Sequence, residues 1–152
     1  MTQKENIKLE QAQILEELEE LIGKSILYVD KIDWNTVGAQ AKGDSIIGLG
    51  LYNCGLTSLP ESFGDLKSLQ KLYLNDNQLT ALPKSFGQLQ LLQELYLSRN
   101  KLTSLPESFE QLQSLQTLYL SNNQLTSLLE PILKLKSLQT LNLSYNKLIT
   151  LP

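Results

Sequence analysis

A unit of 23 residues, repeated without insertion, most constrains how this chain can fold. Its clearest copy, LQKLYLNDNQLTALPKSFGQLQL, begins at Leu69, and further copies begin at Ile46, Leu92, Leu115 and Leu138. Counted from Leu69, the unit has apolar residues at positions 1, 4, 6, 11 and 14, an asparagine at position 9 and a proline at position 15. A fixed period of this kind predicts a stack of similar coils rather than one closed core.

Each unit carries the pattern of a short strand followed by a turn and a return segment. Positions 4 and 6 point to one face of a strand, and positions 3, 5 and 7 point to the other. Proline at position 15 ends the turn, and the apolar positions 18 and 21 share one side of a short helical or 3₁₀ return segment. One unit cannot bury its leucines alone, so stacked units should form a parallel sheet on a concave face, with the return segments on the convex side.

The pattern LxxLxLxxN followed by LPxxFGxL resembles the typical leucine-rich repeat of about 23 residues. More narrowly, it resembles the cytosolic branch of Ras-suppressor, plant intracellular Ras-group and Roco-type proteins. The stretch IIGLGLYNCGLTSLPESFG is similar to first repeats of uncharacterised prokaryotic members. The resemblance covers residues 46–152 and implies a right-handed α/β horseshoe segment. It also implies a protein-interaction scaffold, with a small GTPase or a signalling complex as the partner.

Residues 1–45 precede the repeats and predict an N-terminal cap. Apolar residues spaced by three and four predict an amphipathic helix over 7–22, and Gly23 suits the left-handed residue that ends it. Since solenoids need polar-faced ends, we expect this helix to cover the leucines of the first coil. The alternative is that the acidic helix recruits a partner or associates with itself.

The remainder of this segment predicts more cap core and a hairpin. Ile26, Tyr28, Ile32 and Trp34, the lone tryptophan, are expected to form cap core. The alternative for Trp34 is an exposed binding hot spot. Residues 39–47 predict a hairpin whose tight turn is Gly43-Asp44. The hairpin would lead the chain into the first repeat strand.

Position 9 of the repeat predicts a ladder of inward-turning side chains. There an amide can bond backbone groups of neighbouring coils that no water reaches. The first unit has a thiol in this place, and without a histidine in the chain nothing predicts that it is a nucleophile. The predicted structural ladder is Cys54, Asn77, Asn100, Asn123 and Asn146.

The candidate binding residues lie on the concave face, at positions 3, 5, 7 and 8. Adjacent strands lie about 4.8 Å apart, so the tyrosines at position 5 should form a ladder. Tyrosines with a nearby arginine are typical of a protein-binding hot spot, although duplication and simple stacking on a sheet would give the same pattern. Gly48 and Gly50 should leave a bare patch that could seat a partner side chain. The predicted partner-binding residues are Tyr52, Lys71, Tyr73, Asp76, Glu94, Tyr96, Arg99, Tyr119, Asn142 and Tyr145.

The fourth and fifth units depart from the pattern. Leu129 replaces the proline of position 15, and Leu133 stands where the other units have Gly64, Gly87 and Glu110, so we expect both to be exposed on the convex side. They would be the start of a C-terminal cap, an interaction patch or sequence drift. The fifth unit is incomplete, which predicts either a fragment of a longer array or an end-to-end homodimer through Leu138–Pro152.

Composition argues against several classes of function. The net charge is −3 and no lysine or arginine cluster occurs, so neither nucleic acid nor an anionic membrane is expected as a partner. With no histidine and one cysteine, no metal site and no cofactor are expected. No paired carboxylates, triad or phosphate loop indicate an enzyme. The caps hold no cysteine pair and the N-terminus no apolar leader, which predicts a cytoplasmic location.

The leading hypothesis is therefore a non-enzymatic scaffold that binds a protein partner on the concave face. The alternatives are a structural, self-assembling protein that associates through its C-terminal end, or the repeat fragment of a larger multidomain protein.

Overall fold

The computed structural model describes residues 6–127 and 130–149, which form a solenoid built on one sheet. Within these residues β1 and β2 are antiparallel, and β2 to β6 are parallel neighbours in chain order. Leu72 pairs with Leu95, so equivalent repeat positions lie side by side. The predicted solenoid with a parallel sheet is confirmed. The strands are β1 (Val37–Lys42), β2 (Ser45–Leu51), β3 (Lys71–Tyr73), β4 (Glu94–Tyr96), β5 (Thr117–Tyr119) and β6 (Thr140–Asn142).

The leucines of positions 4 and 6 fill one continuous core between the sheet and the return segments. Leu72, Leu74, Leu95 and Leu97 are fully buried. The first three return segments are 3₁₀ helices, as the sequence allowed, and their phenylalanines stack in a row with ring centroids 6.1 Å apart. The 3₁₀ helices are Glu61–Asp65, Lys84–Gln88 and Glu107–Gln111, with Phe63, Phe86 and Phe109 at their centres.

The return segments approach one another closely where glycine follows phenylalanine. A Cβ atom at Gly64 or Gly87 would lie 2.3 Å from a backbone oxygen of the next segment. The fourth return segment is instead a short α-helix, α2 (Glu130–Leu133). Leu133 is exposed on this side as predicted, whereas Leu129 lies outside the described residues.

The asparagines of position 9 connect successive coils. The Asn100 side-chain amide donates to the Leu74 carbonyl of the preceding coil at 2.9 Å and to the Leu97 carbonyl of its own coil at 3.0 Å. Its Oδ1 accepts a hydrogen bond from the Leu79 N–H at 3.0 Å. Asn77, Asn123 and Asn146 repeat this pattern.

Cys54 does not link coils in this way. Its half-buried thiol donates to the Tyr52 carbonyl of its own coil at 3.4 Å. No repeat coil precedes it, so no carbonyl of an earlier repeat needs a donor there. Its backbone N–H still donates to Asn77 Oδ1, at 3.0 Å.

The N-terminal helix packs onto the start of the solenoid. Helix α1 (Leu9–Ile22) begins two residues later than predicted and ends at Gly23, whose φ is +70°. Ile14 and Leu18 are buried in the common core, and buried Gln11 accepts a hydrogen bond from the Ile46 N–H at 2.8 Å. Among the described residues, no helix is both long and apolar enough to cross a membrane.

Candidate functional site on the concave sheet

The tyrosines of position 5 form a stack on the concave face. The rings of Tyr73 and Tyr96 lie 4.4 Å apart and nearly parallel, and Tyr119 continues the stack at 5.1 Å. Both Tyr73 and Tyr96 donate their hydroxyl groups to Glu94 Oε2 at 3.3 Å. Burial, and then the Glu94 charge, raises the pKa of the Tyr73 and Tyr96 hydroxyls.

The charged residues beside the stack are paired with one another. Lys71 lies 3.4 Å from Glu94, and Arg99 lies 3.4 Å from Asp76. In both pairs the cation is the more accessible partner, because the side chains of Lys71 and Arg99 are 44% and 67% exposed and each carboxylate side chain only 28%. The face therefore presents positive groups outward over recessed carboxylates.

The loop of residues 30–36, which we call the Trp34 loop, folds over the first strand of this face. Its shape is held by Thr36 Oγ1, which accepts from the Asp33 N–H and donates to Asp33 Oδ1, both at 2.9 Å. A Cβ atom at Gly50 would lie 2.5 Å from the Thr36 carbonyl oxygen, so glycine is needed there for the loop to approach. At Gly48 a Cβ would lie 3.1 Å from the Ile32 side chain.

One prediction about this region is therefore wrong. The bare patch expected at Gly48 and Gly50 does not exist, because the chain's own Trp34 loop and Gln40 fill it. Tyr73, a predicted partner-binding residue, lies next to Gly50 in the sheet and is only 7% exposed. Tyr73 supports the stack from one end.

The prediction that Trp34 lies in the cap core is also wrong, because the Trp34 side chain is 60% exposed. Its ring meets Tyr52 edge to face at 5.6 Å, and together with Tyr96 and Tyr119 it lines a groove of about 440 Å³. Sequence reasoning missed Trp34 as a candidate site residue. The signal was present in Gly48 and Gly50, since glycine within a strand often marks the close approach of another backbone. The groove, as we use the term below, is lined by Trp34, Asn75, Asp76, Tyr96, Ser98, Arg99, Tyr119, Ser121 and Asn122.

The polar side chains of the groove are held by hydrogen bonds within the sheet. Ser121 Oγ donates to Ser98 Oγ at 2.8 Å, and Asn75 Oδ1 accepts from the Ser98 N–H at 3.0 Å. Asp76 and Arg99 have positive φ angles of 59° and 58°, a left-handed conformation that costs a non-glycine residue roughly 1–2 kcal/mol. The walls of the groove are thus preorganised, which lowers the entropy cost of binding.

The structure divides the predicted binding residues into those inside and outside the groove. Asp76, Tyr96, Arg99 and Tyr119 line it. Six others lie elsewhere: Tyr52, Lys71, Tyr73, Glu94, Asn142 and Tyr145. Of these, Tyr52 supports Trp34, Lys71 and Glu94 pair with each other, and Tyr145 is a strongly exposed side chain two coils from Arg99. Within the described residues, no three His, Cys, Asp or Glu side chains are placed to hold a metal ion.

Comparison with known families gives matches over most of the chain. The model described as "Leucine rich repeat" matches residues 48–102 and 67–125. The model described as "Leucine Rich repeats (2 copies)" matches residues 113–152. No curated protein sequence matches the chain significantly.

Several solved structures share the fold. A leucine-rich-repeat protein of Leptospira interrogans is 48% identical with a TM-score of 0.67, over 68% of this chain and 26% of that protein. The BIR3–SERK2 complex from Arabidopsis thaliana matches with 30% identity and a TM-score of 0.67, over 88% of this chain and 79% of that one. The PEPR1–AtPEP1 structure matches with 28% identity and a TM-score of 0.61, over 80% of this chain and 18% of that one. The chain thus spans about a quarter of the length of the Leptospira protein.

Proposed function

The chain belongs to the leucine-rich-repeat family, and from this premise we propose that it is a non-enzymatic scaffold that binds a protein partner in the groove between Trp34 and the tyrosine stack. The observation that carries the proposal is the exposure of Trp34 beside Tyr96, Tyr119 and Arg99. A large aromatic side chain held in water is costly in a monomer, and tryptophan, tyrosine and arginine dominate protein-binding hot spots.

Two further observations support this function. Repeat solenoids use extended concave surfaces for binding, and the similar BIR3–SERK2 structure is that of a complex. The groove is also held in place, since its tyrosines are stacked and its serines are hydrogen-bonded to neighbouring coils. Rigid aromatic side chains provide contact area at a low cost in conformational entropy.

The test is an affinity capture from a lysate of the source organism. The baits are the wild type, Trp34→Ala, Tyr119→Ala and, as a matched control, Tyr145→Ala, which removes an exposed aromatic outside the groove. Urea midpoints establish that each bait is folded. We expect one protein that the wild type and the control retain and that both groove variants lose.

Retention of the same partner by all four baits would place binding elsewhere and refute the proposal. Identification of the partner by mass spectrometry also tests a signalling role with a small GTPase, and the compartment of that partner tests the proposed cytoplasmic location.

A second candidate function, self-assembly, is favoured by the last described strand. Leu141 is exposed on β6, and Leu143 and Leu148, which pack against the core, are half-buried. Contact between copies over Leu138–Pro152 would cover such leucines. Analytical ultracentrifugation would then show a mass that rises with concentration, and Leu141→Gln would reduce that rise, whereas Trp34→Ala would leave it unchanged.

A further inference from the structure

We propose that the groove selects partner segments in which an acidic side chain, aspartate or glutamate, lies beside an aromatic or large aliphatic one. This inference rests on the proposed function and names the chemistry that the same groove recognises. It commits to side-chain carboxylates within a protein segment.

The first argument is the sign of the charge that a partner meets. The chain carries a net charge of −3, yet in both ion pairs of its concave face the cation is more exposed than the carboxylate. Asp76 is paired with Arg99, and Glu94 is paired with Lys71 and accepts two tyrosine hydroxyls. Both carboxylates therefore have partners already, and a partner's cation would gain little from displacing them.

The second argument is the state of Arg99, the single arginine of the chain. Its side chain is 67% exposed and contacts Asp76 through one nitrogen, at 3.4 Å. A guanidinium has five N–H donors in a planar fork that matches a carboxylate. A partner carboxylate could thus form a two-point hydrogen bond to Arg99 while the contact with Asp76 persists, which gives geometric specificity as well as attraction.

The third argument weighs the aromatic walls. Trp34 and Tyr119 would attract a cation through their ring faces by about 0.5–1 kcal/mol at an exposed site. Arg99 lines the same groove and opposes a second cation there. An apolar or aromatic side chain gains the same ring contacts without that repulsion, so it is the better neighbour for the carboxylate.

The experiment is a selection of random twelve-residue peptides displayed on phage. The immobilised proteins are the wild type, Arg99→Glu and Lys101→Glu. The last makes the same charge change two residues away, at an exposed lysine that does not line the groove. Wild type and Lys101→Glu should enrich peptides with an acidic residue within two positions of an aromatic or aliphatic one. Arg99→Glu should lose these peptides and enrich basic ones.

The second measurement uses the fluorescence of Trp34, which is the only tryptophan and lies in the groove. A synthetic copy of the most enriched peptide, made without tryptophan, should shift the Trp34 emission maximum to shorter wavelength. Replacing its acidic residue by the neutral amide should weaken binding roughly fivefold to the wild type, as expected for an exposed charged pair, but less than about twofold to Arg99→Gln. Affinity for the acidic peptide should also fall as salt is raised, because the charged pair is at the surface.

Several outcomes would overturn the inference: no enrichment by the wild type, enriched peptides without acidic residues, or an unchanged preference in Arg99→Glu. Its failure differs from that of the proposed function. If lysate capture depends on Trp34 and Tyr119 while the enriched peptides are neutral or basic, the scaffold function stands and the acidic preference is wrong. If the captured partner survives both groove substitutions, the proposed function itself is wrong.

Discussion

Replacing Asn100 by alanine tests whether the asparagine ladder holds the coils together. The side chain is buried in the middle of the stack and forms three hydrogen bonds of 2.9–3.0 Å, to the Leu74 and Leu97 carbonyls and from the Leu79 N–H. Alanine keeps the backbone conformation accessible but removes all three bonds. The Leu79 N–H is then left without its partner, whereas the Leu74 and Leu97 carbonyls each keep one hydrogen bond, from Asn77 and Asn123.

The expected cost follows from burial. Losing one of two hydrogen bonds costs about 1 kcal/mol at each carbonyl, and leaving the buried Leu79 N–H unsatisfied costs roughly 1–3 kcal/mol. Leu74, Leu79 and Leu97 are fully buried, so water cannot reach their backbone groups without opening the stack. We therefore expect Asn100→Ala to lower the free energy of unfolding by about 3–5 kcal/mol.

The matched control is Asn146→Ala, which deletes the same atoms at the same repeat position. Asn146 forms equivalent bonds to the Leu120 and Leu143 carbonyls and from the Leu125 N–H, at 2.9–3.1 Å, but it is only half-buried. Water can replace part of what is lost there, so about 1 kcal/mol is expected. Urea unfolding followed by circular dichroism gives both values, provided the denaturant slope is unchanged.

Equal losses in the two variants would refute the reasoning, because the three bonds have nearly the same lengths at both positions while the burial of the side chain differs. A loss below about 1 kcal/mol in Asn100→Ala would show that the asparagine ladder contributes little to the free energy of unfolding and that the packing of the leucines holds the coils together.

Two further predictions concern the concave face. Gly50→Ala places a Cβ atom 2.5 Å from the Thr36 oxygen, so it should displace the Trp34 loop, cost about 1–3 kcal/mol and shift Trp34 emission. The raised pKa of Tyr73 makes the unfolded chain lose that proton first, above the ordinary tyrosine pKa of about 10. The free energy of unfolding should therefore fall as pH rises above that value, and less steeply in Tyr73→Phe.

For Gly50→Ala, the contradicting result is an unchanged urea midpoint together with unchanged emission, which would mean that the loop does not rest on this strand. For Tyr73, the control is Tyr145→Phe, which removes an exposed tyrosine outside the stack. If both phenylalanine variants keep the wild-type dependence on pH, the buried hydroxyl of Tyr73 is not the cause.

The repeat by itself determined the solenoid. The two-residue alternation placed Leu72 and Leu74 inside and Tyr96 on the opposite face, and the constant spacing set the register of β3 to β6. Such features follow from sequence because each coil contacts mainly its neighbours, and those neighbours carry the same residues at the same positions. The inward turn of Asn100 belongs to this class, since a buried amide must find backbone partners.

Features that occur once were decided by tertiary structure. Periodicity carries no information about the Trp34 loop, because the loop lies before the repeats. The only sequence-based ground for placing Trp34 in the cap core is the general tendency of tryptophan to be buried. In the fold, the loop lies over β2 and Trp34 is exposed in the groove that Tyr119 also lines. Gly48 and Gly50 permit the close approach of the loop because they have no side chains. The sequence alone does not show whether a partner or the chain itself fills the space above a glycine.

The candidate site shows the same division. The sequence placed Asp76, Tyr96, Arg99 and Tyr119 on one face, because that follows from repeat positions 5 and 8. The part of the groove formed by Trp34 and the exposure of the cations depend on contacts between residues distant in sequence. The contact of Arg99 with Asp76 is an example. Local pattern therefore set which residues share a face, and long-range packing set which of them a partner can reach.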